Sequence, residues 1–98
     1  MSNPNYTKGR AFEYATMSKW REQQYKCTRA AGSHSEFDVI AYRIDRKPEF
    51  IQCKKVTTEP EAKRLLKSFK ASTMPSQYYH QSIAIKIKGF KNILSVTV

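Results

Sequence analysis

Apolar positions recur with two different periods along this chain. Between Lys8 and Gln24 there is no proline, and the only glycine is Gly9. Glu13, Met17, Trp20 and Gln24 recur at i, i+4, i+7 and i+11, a spacing that puts them on one helical face with Phe12 and Thr16 beside it. This predicts a first helix over residues 8–24 behind a flexible lead of residues 1–7. Its stripe is interrupted, so the Glu13 carboxylate shares a face with Met17 and Trp20. Residues 25–30 can form a strand leading into the small-residue turn Ala31-Gly32-Ser33-His34-Ser35. Residues 37–43, with Val39, Ile40 and Tyr42, read as a second strand. A polar turn over 45–48, broken by Pro48, then separates it at hairpin spacing from a third strand over 49–55.

The period then changes. Thr58 and Glu61 stand at capping-box spacing with Pro60 in the first turn, which predicts a helix start. Ala62, Leu65, Leu66 and Phe69 make its apolar stripe, and Lys63, Arg64, Lys67 and Lys70 take the other faces. Residues 72–81 read as a loop. Ile83, Ile85 and Ile87 alternate with Ala84, Lys86 and Lys88, as in a strand with one buried face. After Gly89, a last strand runs through Ile93, Leu94, Val96 and Val98. Helix, three strands, helix, two strands: this order predicts an α/β or α+β sheet with few helices.

Length and charge sharpen that picture. Ninety-eight residues allow one domain, 1–98, with one modest core, and so small a chain gains from oligomerisation. Eighteen Lys and Arg against eight Asp and Glu give a net charge of +10. That balance favours a polyanionic partner, nucleic acid foremost, although a merely solvated basic face has the same composition. Cys27 and Cys53 do not stand at zinc-ligand spacing, even with His34 and His80 counted, so reduced thiols in a cytoplasmic protein are expected. No signal peptide is expected, and no apolar run reaches membrane-spanning length.

Candidate chemistry lies in the hairpin. Asp38 opens one strand, and Gln52-Cys53-Lys54 lies in the next, where alternation sends Gln52 and Lys54 to one face and Cys53 to the other. An acid, a polar residue and a lysine so placed suit a divalent cation held by oxygens, with the lysine serving a water nucleophile or a phosphate. Singly, none of these residues is informative. Together, Lys8-Gly9-Arg10-Ala11-Phe12-Glu13, then Arg29-Ala30-Ala31-Gly32-Ser33-His34-Ser35, Asp38-Val39-Ile40-Ala41 and Gln52-Cys53-Lys54-Lys55 form an ordered series. The series resembles the archaeal Holliday-junction resolvase (Hjc-like) family of the PD-(D/E)xK, or restriction-endonuclease-like, nucleases. That family carries a K-G-x-x-x-E helix, an R-x-x-G-S-x-S turn, P-D-x-I-A and E-x-K. The resemblance covers residues 8–55 and thins out beyond them.

The resemblance implies an α/β fold with a mixed, roughly five-stranded central sheet flanked by helices. It also implies a Mg²⁺-dependent (or Mn²⁺-dependent) endonuclease that cuts branched or four-way-junction DNA as a homodimer. Glu13, Asp38, Gln52 and the Cys53 backbone carbonyl would be the metal ligands, Lys54 the catalytic lysine, and Ser35 and Arg29 residues that position the scissile backbone. Lys8, Arg10, Ser33 and Lys55 would contact DNA. The basic second helix, with Lys63, Arg64, Lys67 and Lys70, could add phosphate contacts. Phe37 stands where the family has proline, and Gln52 stands where it has an acid, so weaker metal binding is expected. Two alternatives stay open: a DNA-binding module of the same fold that has lost catalysis, and a nuclease for another branched or single-stranded substrate. For the latter, Tyr78-Tyr79-His80 could stack on unpaired bases or simply pack against the sheet or a partner.

Overall fold

The computed structural model describes residues 4–30 and 37–98, with side chains described from Arg10 onward. The order is α1 (Pro4–Arg21), β1 (Lys26–Arg29), β2 (Val39–Arg43), β3 (Arg46–Val56), α2 (Glu59–Ser72), β4 (His80–Ile87) and β5 (Ile93–Thr97). The fold is α/β, with five strands in one mixed sheet in the order β1-β2-β3-β4-β5. All neighbours are antiparallel except β3 and β4, which α2 joins as a crossover. A parallel pair requires such a long connection, and the capped second helix supplies it.

Helix α1 starts at Pro4, so residues 4–7 of the expected flexible lead are helix, and residues 1–3 lie outside the described residues. Proline suits the first helical turn, where its missing N–H has no partner to lose. The inward face also differs from the expected one. Phe12, Thr16 and Met17 are buried, Glu13 and Trp20 are half-buried, and Gln24 lies outside the helix. Gln24 sits in the left-handed region at φ 72°, and the Tyr25 N–H turns back to the Trp20 carbonyl at 3.2 Å. Tyr25 then packs edge-on against Trp20, at 4.9 Å between ring centres.

Strand β3 begins three residues earlier than expected and takes in Pro48. Its pairing with β2 slips between Ala41↔Glu49 and Arg43↔Arg46, and Pro48 falls inside that irregularity. A residue without an N–H is tolerated there because no ladder bond is asked of it. On β4 the expected single buried face became two: Gln81 to Ile85 are all buried. The sheet separates two apolar clusters. On the α1 side are Phe12, Met17, Tyr25, Val39, Ala41, Ile51 and Ala84. On the α2 side are Val56, Ala62, Phe69, Ile83, Ile85 and Ile87. α2 starts as its sequence predicts, with the Thr58 hydroxyl accepting the Glu61 N–H at 3.4 Å. Gly89, at φ 84°, supplies the left-handed residue of the β4–β5 turn.

Candidate active site

The site lies where β2 stops and β3 runs on. Val39↔Ile51 is the last pair of their ladder, while β3 stays bonded to β4 from Glu49↔His80 through to Val56↔Ile87. Beyond Ile51, one edge of β3 therefore has no strand beside it among the described residues. Asp38 closes the ladder at that point. Its N–H donates to the Ile51 carbonyl at 2.9 Å, and its carbonyl accepts the Ala30 N–H at 2.9 Å. Its carboxylate Oδ2 accepts the Cys53 N–H at 2.8 Å. Three bonds fix the carboxylate against the β3 edge. Because the N–H and carbonyl of one extended residue point to the same edge, the Cys53 carbonyl also faces this opening.

Glu13 reaches the same place from α1. Its Oε2 accepts from Arg29 Nε at 2.9 Å, and both side chains are less than one-fifth exposed. Arg29 pairs with Val39 in the β1–β2 register, so it stands on the α1 face next to the start of β2. Its guanidinium also lies over the Tyr14 ring, 5.4 Å from its centre.

The Cys53 thiol reports on its surroundings. Burial pushes it up to about 12; a hydrogen bond with Thr16 works against this, and the Asp38 and Glu13 charges add to it. Both carboxylates are therefore within electrostatic reach of one residue on β3. The thiol lies 3.6 Å from the Thr16 hydroxyl, and its raised pKa disfavours the nucleophilic thiolate. Cys27 is also raised by burial and donates to the Met17 carbonyl at 3.5 Å. Both cysteines are free thiols.

The expected cluster borders two hollows. Gln52 and Lys54 line a hollow of about 480 Å³ on the α2 side, with Phe37, Leu65, Phe69, Tyr79 and Ile83 among its walls. The Gln52 carboxamide has no hydrogen-bond partner among the described residues. A second hollow, of about 750 Å³, holds Glu13, Cys53, Lys54, Lys55, Lys86 and Lys88. Lys54 borders both, so it stands on the ridge between them. Cys53 takes the Asp38 carboxylate on its N–H and lines one hollow with Glu13 and Lys54, while Gln52 and Lys54 line the other. Among the described residues, no three of His, Cys, Asp or Glu gather to hold a metal ion.

Of the other candidates, Ser33, Ser35 and the Lys8 side chain lie outside the described residues. Arg10 is exposed, and Arg29 is committed to Glu13. Lys55 is exposed at the second hollow. Lys63, Arg64, Lys67 and Lys70 are exposed along α2 and line neither hollow, and Lys63 lies 3.3 Å from Glu59. Tyr79 packs edge-on against Phe50 at 4.6 Å, while Tyr78 is largely exposed. Lys86 and Lys88 are the residues the sequence reading left out. The alternation of β4 showed them facing one way, but only the parallel β3–β4 register brings them beside Lys55.

No known protein family and no curated protein matches the sequence. Among solved structures, the chain is similar to Archaeoglobus fulgidus Hjc, a Holliday junction resolvase from an archaeal hyperthermophile. The TM-score is 0.54 at 15% identity, over 91% of this chain and 83% of that one. What the two share is the fold, a mixed five-stranded α/β sheet in this chain. At that identity the likeness is one of architecture, and at 91% of the chain it reaches well beyond residues 8–55, which carried the sequence resemblance. No helix among the described residues is long and apolar enough to cross a membrane.

Proposed function

We propose that this chain is a divalent-metal-dependent DNA endonuclease selective for branched DNA, with the four-way junction as first candidate. The observation that carries this reading is the Asp38 carboxylate tied to the N–H of Cys53, a residue that lines one hollow with Glu13 and Lys54. Mg²⁺ needs only one or two carboxylates, its remaining positions going to water and substrate phosphate, so a site this sparse in acids fits it. Glu13, Asp38 and the Cys53 carbonyl would hold the ion, with the neutral oxygen of Gln52 as a further donor; Mn²⁺ would serve as well. When bound, the ion lowers the pKa of a water and offsets phosphate charge.

The protein's own groups have separate tasks. Asp38 is held in place by the strand it caps. Arg29 orients Glu13. Lys54, on the ridge, stabilises charge that develops on the phosphate. A homodimer would present two such sites to the two strands of a junction, and its symmetry would match that of the substrate. Two free thiols suit a cytoplasmic enzyme.

The test is cleavage of a labelled four-way junction in Mg²⁺ or Mn²⁺, beside linear duplex and flap controls, by the wild type, Asp38→Asn and Lys54→Ala. Junction cleavage lost in both variants is the expected result; Lys54→Ala cutting at the wild-type rate would overturn the assignment. A second reading, a DNA-binding module without catalysis, draws on the neutral Gln52 at the position where an acidic ligand was expected. Tight junction binding with no product under either metal would select it.

A further inference from the structure

We infer that Lys55, Lys86 and Lys88 form a phosphate-binding subsite for the DNA strand entering the site, and that the basic surface of α2 does not. The inference rests on the nuclease reading and adds the path that the substrate backbone takes.

The parallel register pairs Lys55 with Lys86, so their side chains leave the same face of adjacent strands. Lys88 continues that face, held beside β3 by its N–H bond to the Val56 carbonyl at 2.9 Å. Like charges directly opposite in a sheet are destabilising. Nothing among the described residues relieves this repulsion. None of the three lysines makes an ion pair there, and the carboxylate in their hollow, Glu13, is already bonded to Arg29. Three unneutralised ammonium groups around one concavity are the complement of an anion.

Position says which anion. The hollow shares Cys53, Lys54 and Glu13 with the candidate active site, so its occupant is continuous with the group being cut. A phosphodiester next to the scissile one meets that requirement, being a singly charged group repeated along the substrate strand. α2 presents the opposite case. Its basic side chains border neither hollow, and Glu59 already offsets Lys63.

The experiment measures binding, with EDTA present, of a four-way junction to the wild type, Lys86→Gln/Lys88→Gln and Lys63→Gln/Lys67→Gln over a salt series. The β4 pair should weaken binding at least tenfold. It should also make the log-affinity slope against log-salt shallower by about 1.5, since each lost phosphate contact removes roughly 0.7–0.9. The α2 pair should change neither. Lys86→Arg should keep wild-type affinity. Free of DNA, Lys86→Gln should melt at a higher temperature than the wild type, because the repulsion with Lys55 is gone. Wild-type affinity and slope in the β4 pair, or an equal loss in the α2 pair, would overturn the subsite while leaving the nuclease reading in place. If the wild type itself showed no salt-dependent DNA binding, both would fall.

Discussion

The two faces of the sheet are built from one strand and end up chemically unlike. Along β3, Ile51, Cys53 and Lys55 face α1, and Gln52, Lys54 and Val56 face α2. Toward the C-terminal end of β3, the α1 side carries a partly buried ion pair, a part-buried thiol and lysines with no ion pair among the described residues. The α2 side is mostly packed apolar, with Val56, Ile83, Ile85 and Ile87 against Ala62 and Phe69. The difference teaches that Gln52-x-Lys54 does not by itself define a site. Lys54 shares a hollow with Glu13 where the β2–β3 ladder ends at Val39 and, among the described residues, no strand pairs that edge of β3.

The comparison can be broken first through stability. Ile51→Ala empties the α1-side core and Ile85→Ala the α2-side core, both from positions almost without exposure. Each should cost about 2–5 kcal/mol in chemical denaturation, a large share of what so small a domain possesses. A much milder Ile51→Ala would mean that the α1 face is only loosely packed. Chemistry comes next. Asp38→Asn keeps an oxygen for the Cys53 N–H and should fold normally, yet lose about a hundredfold or more in junction cleavage. Wild-type rates in that variant would remove Asp38 from the site.

Gln52→Glu asks whether the α2 face contributes at all. Restoring a charge should tighten Mg²⁺ dependence by about tenfold, as affinity for hard cations follows ligand charge. An unchanged metal titration would confine the site to the α1 side. A smaller effect tests Glu49, buried on β3 opposite His80 with one carboxylate oxygen unpartnered. Burial raises its carboxyl above the ordinary value, and the His80 charge opposes this. The folded state therefore holds the proton more tightly than the unfolded one. Stability should fall as pH rises from the ordinary carboxylate range through the raised value, and Glu49→Gln should flatten that stretch of a melting-temperature profile. Smallest is Thr58→Ala at the α2 cap, about 0.5–1 kcal/mol, since the 3.4 Å bond is long.

Much of this was legible in the chain. Capping residues marked α2 because Thr58 and Glu61 act over one turn, and alternation marked β4 because isoleucines must be buried somewhere. The β2–β3 hairpin was visible for the same local reasons. Asp38 and Lys54 could be placed near one another because a hairpin fixes its own register. What stayed hidden depended on partners distant in sequence. The inward face of α1 was displaced toward Phe12 and Thr16, since spacing alone does not say which side of an interrupted stripe meets a sheet. Pro48 was read as a breaker because a bulge is invisible until the partner strand is in place. Lys86 and Lys88 looked like solvated positions until the crossover set β4 against β3.

That crossover also bears on how the chain reaches its shape. β1, β2 and β3 are contiguous and antiparallel, so their pairing closes short loops at little entropic cost. β4 can join only after α2 has spanned the sheet, and β5 can then dock on β4 alone. The first half is thus positioned to form as one cooperative unit and to serve as template for the second. In hydrogen-exchange terms, the β2–β3 amides should open least readily and those of β5 most readily.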